Sequence, residues 1–143
     1  MGIKDDLIVL AGDNMLDFSL CGFVDYFYKK NQTCVMRYYE KNIERLKKTG
    51  VAEIGNNERI VKMTEKPQQP NSNWAIPPFY IYSKEDIEKI ERGIREGCPT
   101  DAPGSFISWL CEQSEVYAYE MPGNRFDVGS IEGYESIKKE FFR

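Results

Sequence analysis

The most consequential absence in this chain of 143 residues is histidine, which does not occur at all. Without histidine the chain cannot form a Ser-His or Cys-His catalytic pair, and it lacks the commonest zinc ligand and general base. Any chemistry must therefore come from carboxylates, lysines, arginines or tyrosines, or from a hard metal ion held by oxygen atoms. The composition thus favours a site built on acidic side chains.

Long apolar runs and closely spaced cysteines are also missing. No stretch is apolar enough for a transmembrane span or a secretion signal, so we expect a cytoplasmic protein with no membrane partner. The four cysteines lie far apart and form no CxxC pair. Counting alone leaves two disulfides open, but without a secretion signal free buried thiols are the better interpretation. The net charge of −4 gives no electrostatic reason to expect nucleic acid as a partner.

The length and composition predict a single globular domain over residues 1–143. Apolar residues make up 41% of the chain and charged residues 29%, both ordinary for a folded domain. Helical and strand patterns alternate along it, which indicates an α/β fold. Helices are predicted over 20–30, 42–49, 84–96, 105–113 and 131–141, and strands over 6–10, 33–39, 51–54, 59–64, 74–82, 116–120 and 125–128.

Local signals add detail to several of these elements. The helical spacing predicts that Tyr28 shares a buried face with the preceding phenylalanines. Gly50 is typical of a left-handed helix cap, and the prolines at 77–78 demand an edge, a bulge or a bend in their strand. Ser83 is predicted to cap the following helix, with Asp86 in the capping-box position.

The first fifteen residues are the most informative stretch. The apolar run at 6–10 predicts a strand covered on both faces, as in parallel α/β sheets. Asp13 follows Gly12 at the carboxyl end of this strand, where ligands bind in open α/β sheets. If the strand is central in its sheet, a neighbour that normally precedes it is missing.

Two acids beside glycines, Asp13 and Asp127, are the best candidates for metal ligands. Each is expected at a strand end shortly before a helix, and Mg²⁺ takes one or two carboxylates together with waters and substrate phosphates. We expect the two carboxylates within about 8 Å of each other, close enough for one Mg²⁺ and a bridging water. The alternative for each is a structural cap on a turn or helix.

A second candidate is the pair Glu65 and Lys66, which precedes Pro67 at the end of a predicted strand. An acid and a base held there before a rigid turn could grip a sugar hydroxyl and a phosphate. The alternative is an ordinary solvated ion pair at a strand end.

Four segments, in this order and spacing, resemble the sugar-1-phosphate nucleotidyltransferases, and most of all the glucose-1-phosphate thymidylyltransferases. They are LAGDN at 10–14, GVAE at 50–53, EKP at 65–67 with PNSNWA at 70–75 and FYIY at 79–82, and FDVGS at 126–130. No segment is specific alone, but together they cover essentially the whole chain.

The resemblance implies a Rossmann-like fold with a mixed sheet, and it assigns roles to six positions. The two acids that hold Mg²⁺ match Asp13 and Asp127, the pair that binds the sugar and its phosphate matches Glu65 and Lys66, and backbone positions lining the sugar pocket match Gly50 and Ile76. Such enzymes transfer a nucleotidyl group from an NTP to a sugar-1-phosphate and release pyrophosphate. The implied substrates are therefore an NTP and a sugar-1-phosphate, with Mg²⁺ as cofactor.

Three departures from the family pattern matter. The glycine-rich segment GGxGTRLxPxT is absent, Pro78 stands where a glycine is usual, and Arg125 replaces an aromatic residue two positions before the second metal acid. The chain thus resembles the C-terminal part of a nucleotidyltransferase domain without its N-terminal βα units. We expect it to be inactive alone and to associate with further copies through an exposed sheet edge.

Two other functions stay open at this point. One is a non-catalytic module that binds a sugar phosphate or serves in assembly. The other is a different transfer on the same scaffold, such as cytidylyl transfer to phosphocholine.

Overall fold

The computed structural model describes residues 2–142 and has nine strands and six helices over that range. A short 3-10 helix at Asn56–Glu58 also joins two strands. The strands are β1 (Leu7–Leu10), β2 (Asn14–Leu16), β3 (Cys34–Tyr39), β4 (Gly50–Ile54), β5 (Ile60–Glu65), β6 (Trp74–Ile76), β7 (Phe79–Tyr82), β8 (Tyr117–Glu120) and β9 (Arg125–Asp127). The helices are α1 (Cys21–Lys30), α2 (Ile43–Leu46), α3 (Lys84–Ile87), α4 (Ile90–Arg95), α5 (Pro103–Gln113) and α6 (Ile131–Phe141).

Seven strands form one sheet in the order β1-β7-β3-β6-β4-β5, and β8 pairs with β3 outside this path. The β3–β8 pair is parallel and the other pairs are antiparallel, so the predicted mixed α/β fold is confirmed. The remaining strands, β2 and β9, form a separate antiparallel ribbon.

The predicted strand over 74–82 is interrupted at Pro77–Pro78, and this break shapes the whole sheet. Both halves pair with β3, but β7 pairs onward with β1 whereas β6 pairs onward with β4. The prolines have no backbone N–H to donate, so they interrupt the ladder between the two halves. The end of β1 and the start of β4 therefore face each other across a gap, which we call the notch.

The chain packs hydrophobic residues on both faces of the sheet. Strand β3 shows the alternation, since Val35 belongs to the cluster under α5 whereas Cys34 and Met36 belong to the cluster under α1. Helix α5 contributes Ile107 and Leu110 to the first cluster, and both are fully buried. This packing holds the strand ends at the notch in place from both sides.

Strand β1 differs from its prediction. It lies at the end of the sheet path and pairs, among the described strands, with β7. Leu7 and Val9 pack against the core, whereas Ile8 and Leu10 are each 42% exposed. The expectation of a strand covered on both faces is wrong, because no helix within residues 2–142 covers its outer face. Association of copies through this edge stays a prediction.

Three further local predictions are corrected by tertiary contacts. Tyr28 is 70% exposed and does not share the buried face of α1. Gly50 is the buried first residue of β4 and does not form a left-handed helix cap. The predicted helix over 84–96 is divided into α3 and α4. Strand β2 has no counterpart among the predicted elements, because its three residues form a strand only by pairing with β9.

Asp86 lies at the centre of a buried polar network. Ser83 caps α3 as predicted, with its hydroxyl accepting a hydrogen bond from the Asp86 backbone N–H. The Asp86 carboxylate, however, accepts hydrogen bonds from Thr33 (2.6 Å), Lys89 (2.7 Å) and Ser114 (2.7 Å). Burial alone would raise the pKa of Asp86, but these donors together hold it below its ordinary value. The network ties the start of β3 to α3 and to the end of α5.

The structure also bears on the cysteines and on the apolar character of the helices. The four cysteines are free thiols, although Cys21 is exposed whereas Cys34 is buried. Within residues 2–142 no helix combines the length and the apolar character needed to cross a lipid bilayer.

Candidate functional site

The ribbon of β2 and β9 brings the two candidate metal ligands to one place. Asn14 pairs with Asp127, so the preceding residue Asp13 lies beside the chain that leaves β9. The backbone N–H of Val128 donates a hydrogen bond of 2.9 Å to the carbonyl oxygen of Asp13, which continues the ladder past the strand end. Both acidic side chains are exposed to solvent.

Gly129 leaves the space that the two carboxylates share. A Cβ atom at this position would lie 3.1 Å from Oδ1 of Asp127 and 3.4 Å from Oδ2 of Asp13. The separation of these oxygens therefore cannot exceed the sum of the two distances, which is below the about 8 Å expected for a shared Mg²⁺. The Gly129 N–H donates to Asp127 Oδ1 at 2.8 Å and orients that carboxylate.

The donor set at Gly129 fits a magnesium ion. It consists of carboxylate oxygens open to water, and Mg²⁺ is usually held by one or two carboxylates while it keeps several waters. No group of three or more acidic or cysteine side chains that could hold a metal occurs within residues 2–142. The arrangement therefore suits a cation that is completed by water and substrate rather than one enclosed by protein.

The four predicted sugar-site residues come together around the first residue of β4. Gly50 lies opposite Glu65 of β5 on one side and opposite Ile76 of β6 on the other. Lys66 follows Glu65, and its backbone N–H donates to the carbonyl oxygen of Thr49 at 3.0 Å. The Thr49 hydroxyl in turn donates to the carbonyl oxygen of Ile76 at 3.2 Å. Residues distant in sequence thus form one cluster, which we call the Gly50 cluster, in which Gly50 and Ile76 are buried and Lys66 is exposed.

The two groups of residues both adjoin the notch. The backbone N–H of Ala11, at the end of β1, donates to the carbonyl oxygen of Pro78 at 3.2 Å, and Asp13 follows two residues later. On the other side, Ile76 immediately precedes the proline pair. The segment that leads to Asp13 and the Gly50 cluster therefore adjoin the same break in the sheet.

Glu65 occupies space that two glycines leave open. A Cβ at Gly50 would lie 3.2 Å from Oε2 of Glu65, and a Cβ at Gly104 would overlap Oε2 and lie 2.8 Å from Cδ. Gly104 is the second residue of α5, so the carboxyl group is packed between β4 and the start of this helix. No hydrogen-bond donor of residues 2–142 binds the Glu65 side chain, which leaves its oxygens available to a ligand.

The pKa of Glu65 is raised, mainly because burial disfavours its charged form. The charge of Lys66 lowers this pKa and that of Asp101 raises it. Tyr80 lies nearby, and burial together with the charge of Glu65 raises the pKa of its phenol, which therefore stays protonated. A desolvated carboxyl group without a hydrogen-bond donor is typical of a functional site.

Sequence reasoning missed Gly104, because residues 99–104 resemble a loop. The available signal was a glycine directly after a proline at the start of a helix, where alanine would be more favourable by about 1 kcal/mol. A glycine at the start of a helix can instead serve close packing against a neighbouring element. Here the reason is the carboxyl group of Glu65.

Two open clefts lie elsewhere in the described part of the chain. One of about 490 Å³ is lined by Asp86, Lys89 and Ser114, and one of about 310 Å³ lies between β5 and α5. Neither cleft is lined by a predicted site residue.

The chain is similar in sequence to known proteins. The family model described as nucleotidyl transferase matches residues 2–142. A glucose-1-phosphate adenylyltransferase from Fervidobacterium nodosum is 27% identical over 139 residues, covering 96% of this chain and 34% of the relative. The chain thus spans about a third of the length of this curated relative.

Solved structures show the same fold. A UDP-glucose pyrophosphorylase complexed with UDP-glucose gives a TM-score of 0.81 at 23% identity, covering 97% of this chain and 56% of that one. A Bacillus anthracis protein described as a glucose-1-phosphate thymidylyltransferase gives 0.72 at 21% identity, covering 96% and 55%. The predicted resemblance and the partial nucleotidyltransferase fold are therefore confirmed.

Proposed function

Because the chain belongs to the nucleotidyl transferase family, we propose that it forms the sugar-phosphate and metal portion of a transfer site. The reaction passes a nucleotidyl group from an NTP to a sugar-1-phosphate and yields an NDP-sugar and pyrophosphate. The observation that supports this proposal is that two groups of residues adjoin the notch from opposite sides. The acidic pair beside Gly129 lies on one side, and Glu65 with Gly50 lies on the other.

Asp13 and Asp127 would hold the metal ion. Bound Mg²⁺ supplies charge neutralisation to phosphate oxygens, which in-line displacement at phosphorus requires more than a general base. The carboxylates are exposed and share the open space at Gly129, so phosphates can reach an ion held there. A site without histidine is therefore adequate for this chemistry.

Glu65 and Lys66 would hold the sugar-1-phosphate. The oxygens of Glu65 are desolvated and free to accept hydrogen bonds from sugar hydroxyls, which strengthens such bonds relative to water. Lys66 is exposed and provides a positive charge for the phosphate. Gly50 and Ile76 would line the pocket with backbone, since a side chain at position 50 would reach Glu65.

The proposed function also covers which sugar phosphate binds and whether this chain alone transfers the nucleotidyl group. Glucose-1-phosphate occurs in the names of the relatives, and we take it as the probe. Residues 1–143 contain no GGxGTRLxPxT segment, which the family resemblance makes the cradle for the triphosphate. We therefore expect binding of the sugar phosphate without detectable transfer by this chain alone.

Titration calorimetry with glucose-1-phosphate and Mg²⁺ tests the sugar site. We expect weak binding, with a Kd of about 1 mM or higher, and loss of that binding in Lys66→Ala because the phosphate loses its counter-charge. The control Lys29→Ala removes an exposed lysine of α1 and should bind as the wild type does. Equal binding by Lys66→Ala would refute the assignment of the sugar site. Robust pyrophosphate release by the wild type would show that the glycine-rich segment is dispensable.

Gly104→Ala tests whether the start of α5 supports Glu65. Alanine favours the helix, but its Cβ would displace the Glu65 carboxyl, so we expect a folded protein with about tenfold weaker glucose-1-phosphate binding. Gly22→Ala is the matched control, since Gly22 is also the second residue of a helix and its Cβ would approach the hydroxyl end of Tyr119 and no candidate site residue. Unchanged binding by Gly104→Ala would mean that Glu65 does not contact the sugar.

A further inference from the structure

Arg125 stands where the family pattern has an aromatic residue, and its guanidinium group contacts Asn14, the residue next to Asp13. Its Nη1 donates a hydrogen bond of 2.6 Å to Oδ1 of Asn14, and its Nη2 donates to the hydroxyl of Tyr38 at 3.4 Å. The guanidinium also lies over the Tyr38 ring, 5.5 Å from the ring centre. Arg125 is thus held between β3 and the β2–β9 ribbon.

The side chain of Asn14 also contacts Asp13. Its Nδ2 donates a hydrogen bond of 2.7 Å to Oδ1 of Asp13. The other oxygen of Asp13, Oδ2, faces the space beside Gly129. A continuous chain of hydrogen bonds therefore runs from the guanidinium through the amide to the carboxylate.

Both ends of this chain impose its direction, since the Asp13 carboxylate only accepts and the Arg125 guanidinium only donates. An asparagine amide has an oxygen that accepts and a nitrogen that donates, and rotation by half a turn exchanges them. A guanidinium only donates, so it holds the amide oxygen toward itself and directs the N–H₂ group toward Asp13. Without Arg125, only the hydrogen bond to Asp13 holds the amide, and the Asn14 side chain loses the contact that fixes its position on the ribbon.

We infer that Arg125 is a positioning residue for the metal site, acting on Asp13 through the side chain of Asn14. This inference rests on the proposed metal role of Asp13 and Asp127. With Oδ1 of Asp13 occupied by Asn14, Oδ2 is directed to the shared space, where Oδ1 of Asp127 also lies. Outer hydrogen-bond partners of metal ligands commonly change metal affinity by about 10- to 100-fold.

Simple electrostatics predicts the opposite change in cation affinity when Arg125 is removed. A positive charge near a cation site weakens cation binding, so its removal alone should tighten binding. Removal of a positioning residue should weaken binding despite the lost repulsion. The sign of the change therefore separates the two roles of Arg125.

The experiment measures Mn²⁺ affinity by electron paramagnetic resonance, with Mn²⁺ as the probe for the Mg²⁺ site. We expect Arg125→Met to weaken binding about tenfold, and Asn14→Ala, which changes no charge, to weaken it to a similar extent. The double variant should bind no more weakly than either single variant, because both interrupt one chain of contacts. Arg95→Met, which removes an exposed arginine from the end of α4, is the control.

A second measurement reports on the contact without any metal. In the wild type, the Asn14 side-chain amide proton that faces Asp13 should resonate downfield of the other asparagine amides in the ¹⁵N-correlated NMR spectrum. In Arg125→Met this shift should be lost. If Arg125→Met does not fold, the Mn²⁺ affinity of Asn14→Ala still tests the inference.

The possible failures are distinguishable. Equal or tighter Mn²⁺ binding by Arg125→Met, with binding abolished in Asp13→Asn, would overturn the positioning role and leave the metal site intact. Mn²⁺ binding that is absent, or unaffected by Asp13→Asn, would overturn the metal site and the positioning role together.

Discussion

Asp127→Asn is expected to lower the Mn²⁺ affinity of the chain by more than about 100-fold, since changes to outer partners of metal ligands alone cost about 10- to 100-fold. The variant keeps the oxygen that accepts the Gly129 N–H, so the turn after β9 should survive. What it loses is the negative charge that a hard divalent ion requires. Electron paramagnetic resonance with Mn²⁺ measures the effect.

Asp25→Asn is the control for this experiment, because it removes the same charge from an exposed position on α1. Its affinity should stay within a factor of about two of the wild type. Retention of wild-type affinity by Asp127→Asn would remove this residue from the metal site. Matching circular dichroism spectra are needed to exclude a general loss of structure.

Asp86→Ala is expected to lower the free energy of unfolding by about 3 kcal/mol. Asp86 is 2% exposed, and its removal leaves Thr33, Lys89 and Ser114 without the carboxylate that accepts their hydrogen bonds. Urea denaturation at pH 7 measures the change. Glu85→Ala, an exposed acid one position earlier in α3, should change stability by less than about 0.5 kcal/mol.

The effect of Asp86→Ala should also depend on pH. The network lowers the pKa of this carboxyl group in the folded state from its ordinary value of 3.8. The ionised form therefore contributes stability above that value, and the contribution is lost as the pH falls through the folded pKa. The difference in the free energy of unfolding between the wild type and Asp86→Ala should therefore become smaller as the pH falls below 3.8. A difference of constant size across this range would contradict the role of the charge.

The sequence alone was sufficient for features that depend on neighbouring residues. The helix predicted over 20–30 is α1, the strands predicted over 51–54 and 59–64 are β4 and β5, and Ser83 caps α3 as expected. Hydrophobic periodicity, caps and turns are local properties, so they survive without knowledge of the fold. The order of the motifs also indicated the family, and the resemblance assigned six candidate site residues.

Only the tertiary structure showed how these residues are supported. Arg125 reaches Asn14 from 111 positions away, and Asp86 meets Thr33 from 53 positions away. Gly104 is needed because Glu65 lies against the start of α5. No local pattern encodes such contacts, because each depends on how separate strands and helices are placed beside one another.

The position of β1 illustrates the same division. Its apolar sequence correctly predicted a strand, since an apolar run of that length favours extended structure when it ends in a turn. Whether the strand is central or at the edge depends on which strands pair with it, and pairing is decided across the sheet. The local sequence therefore determined the strand and the acid that follows it. Only the assembled sheet decided that Ile8 and Leu10 are exposed and that Asp13 lies beside the notch.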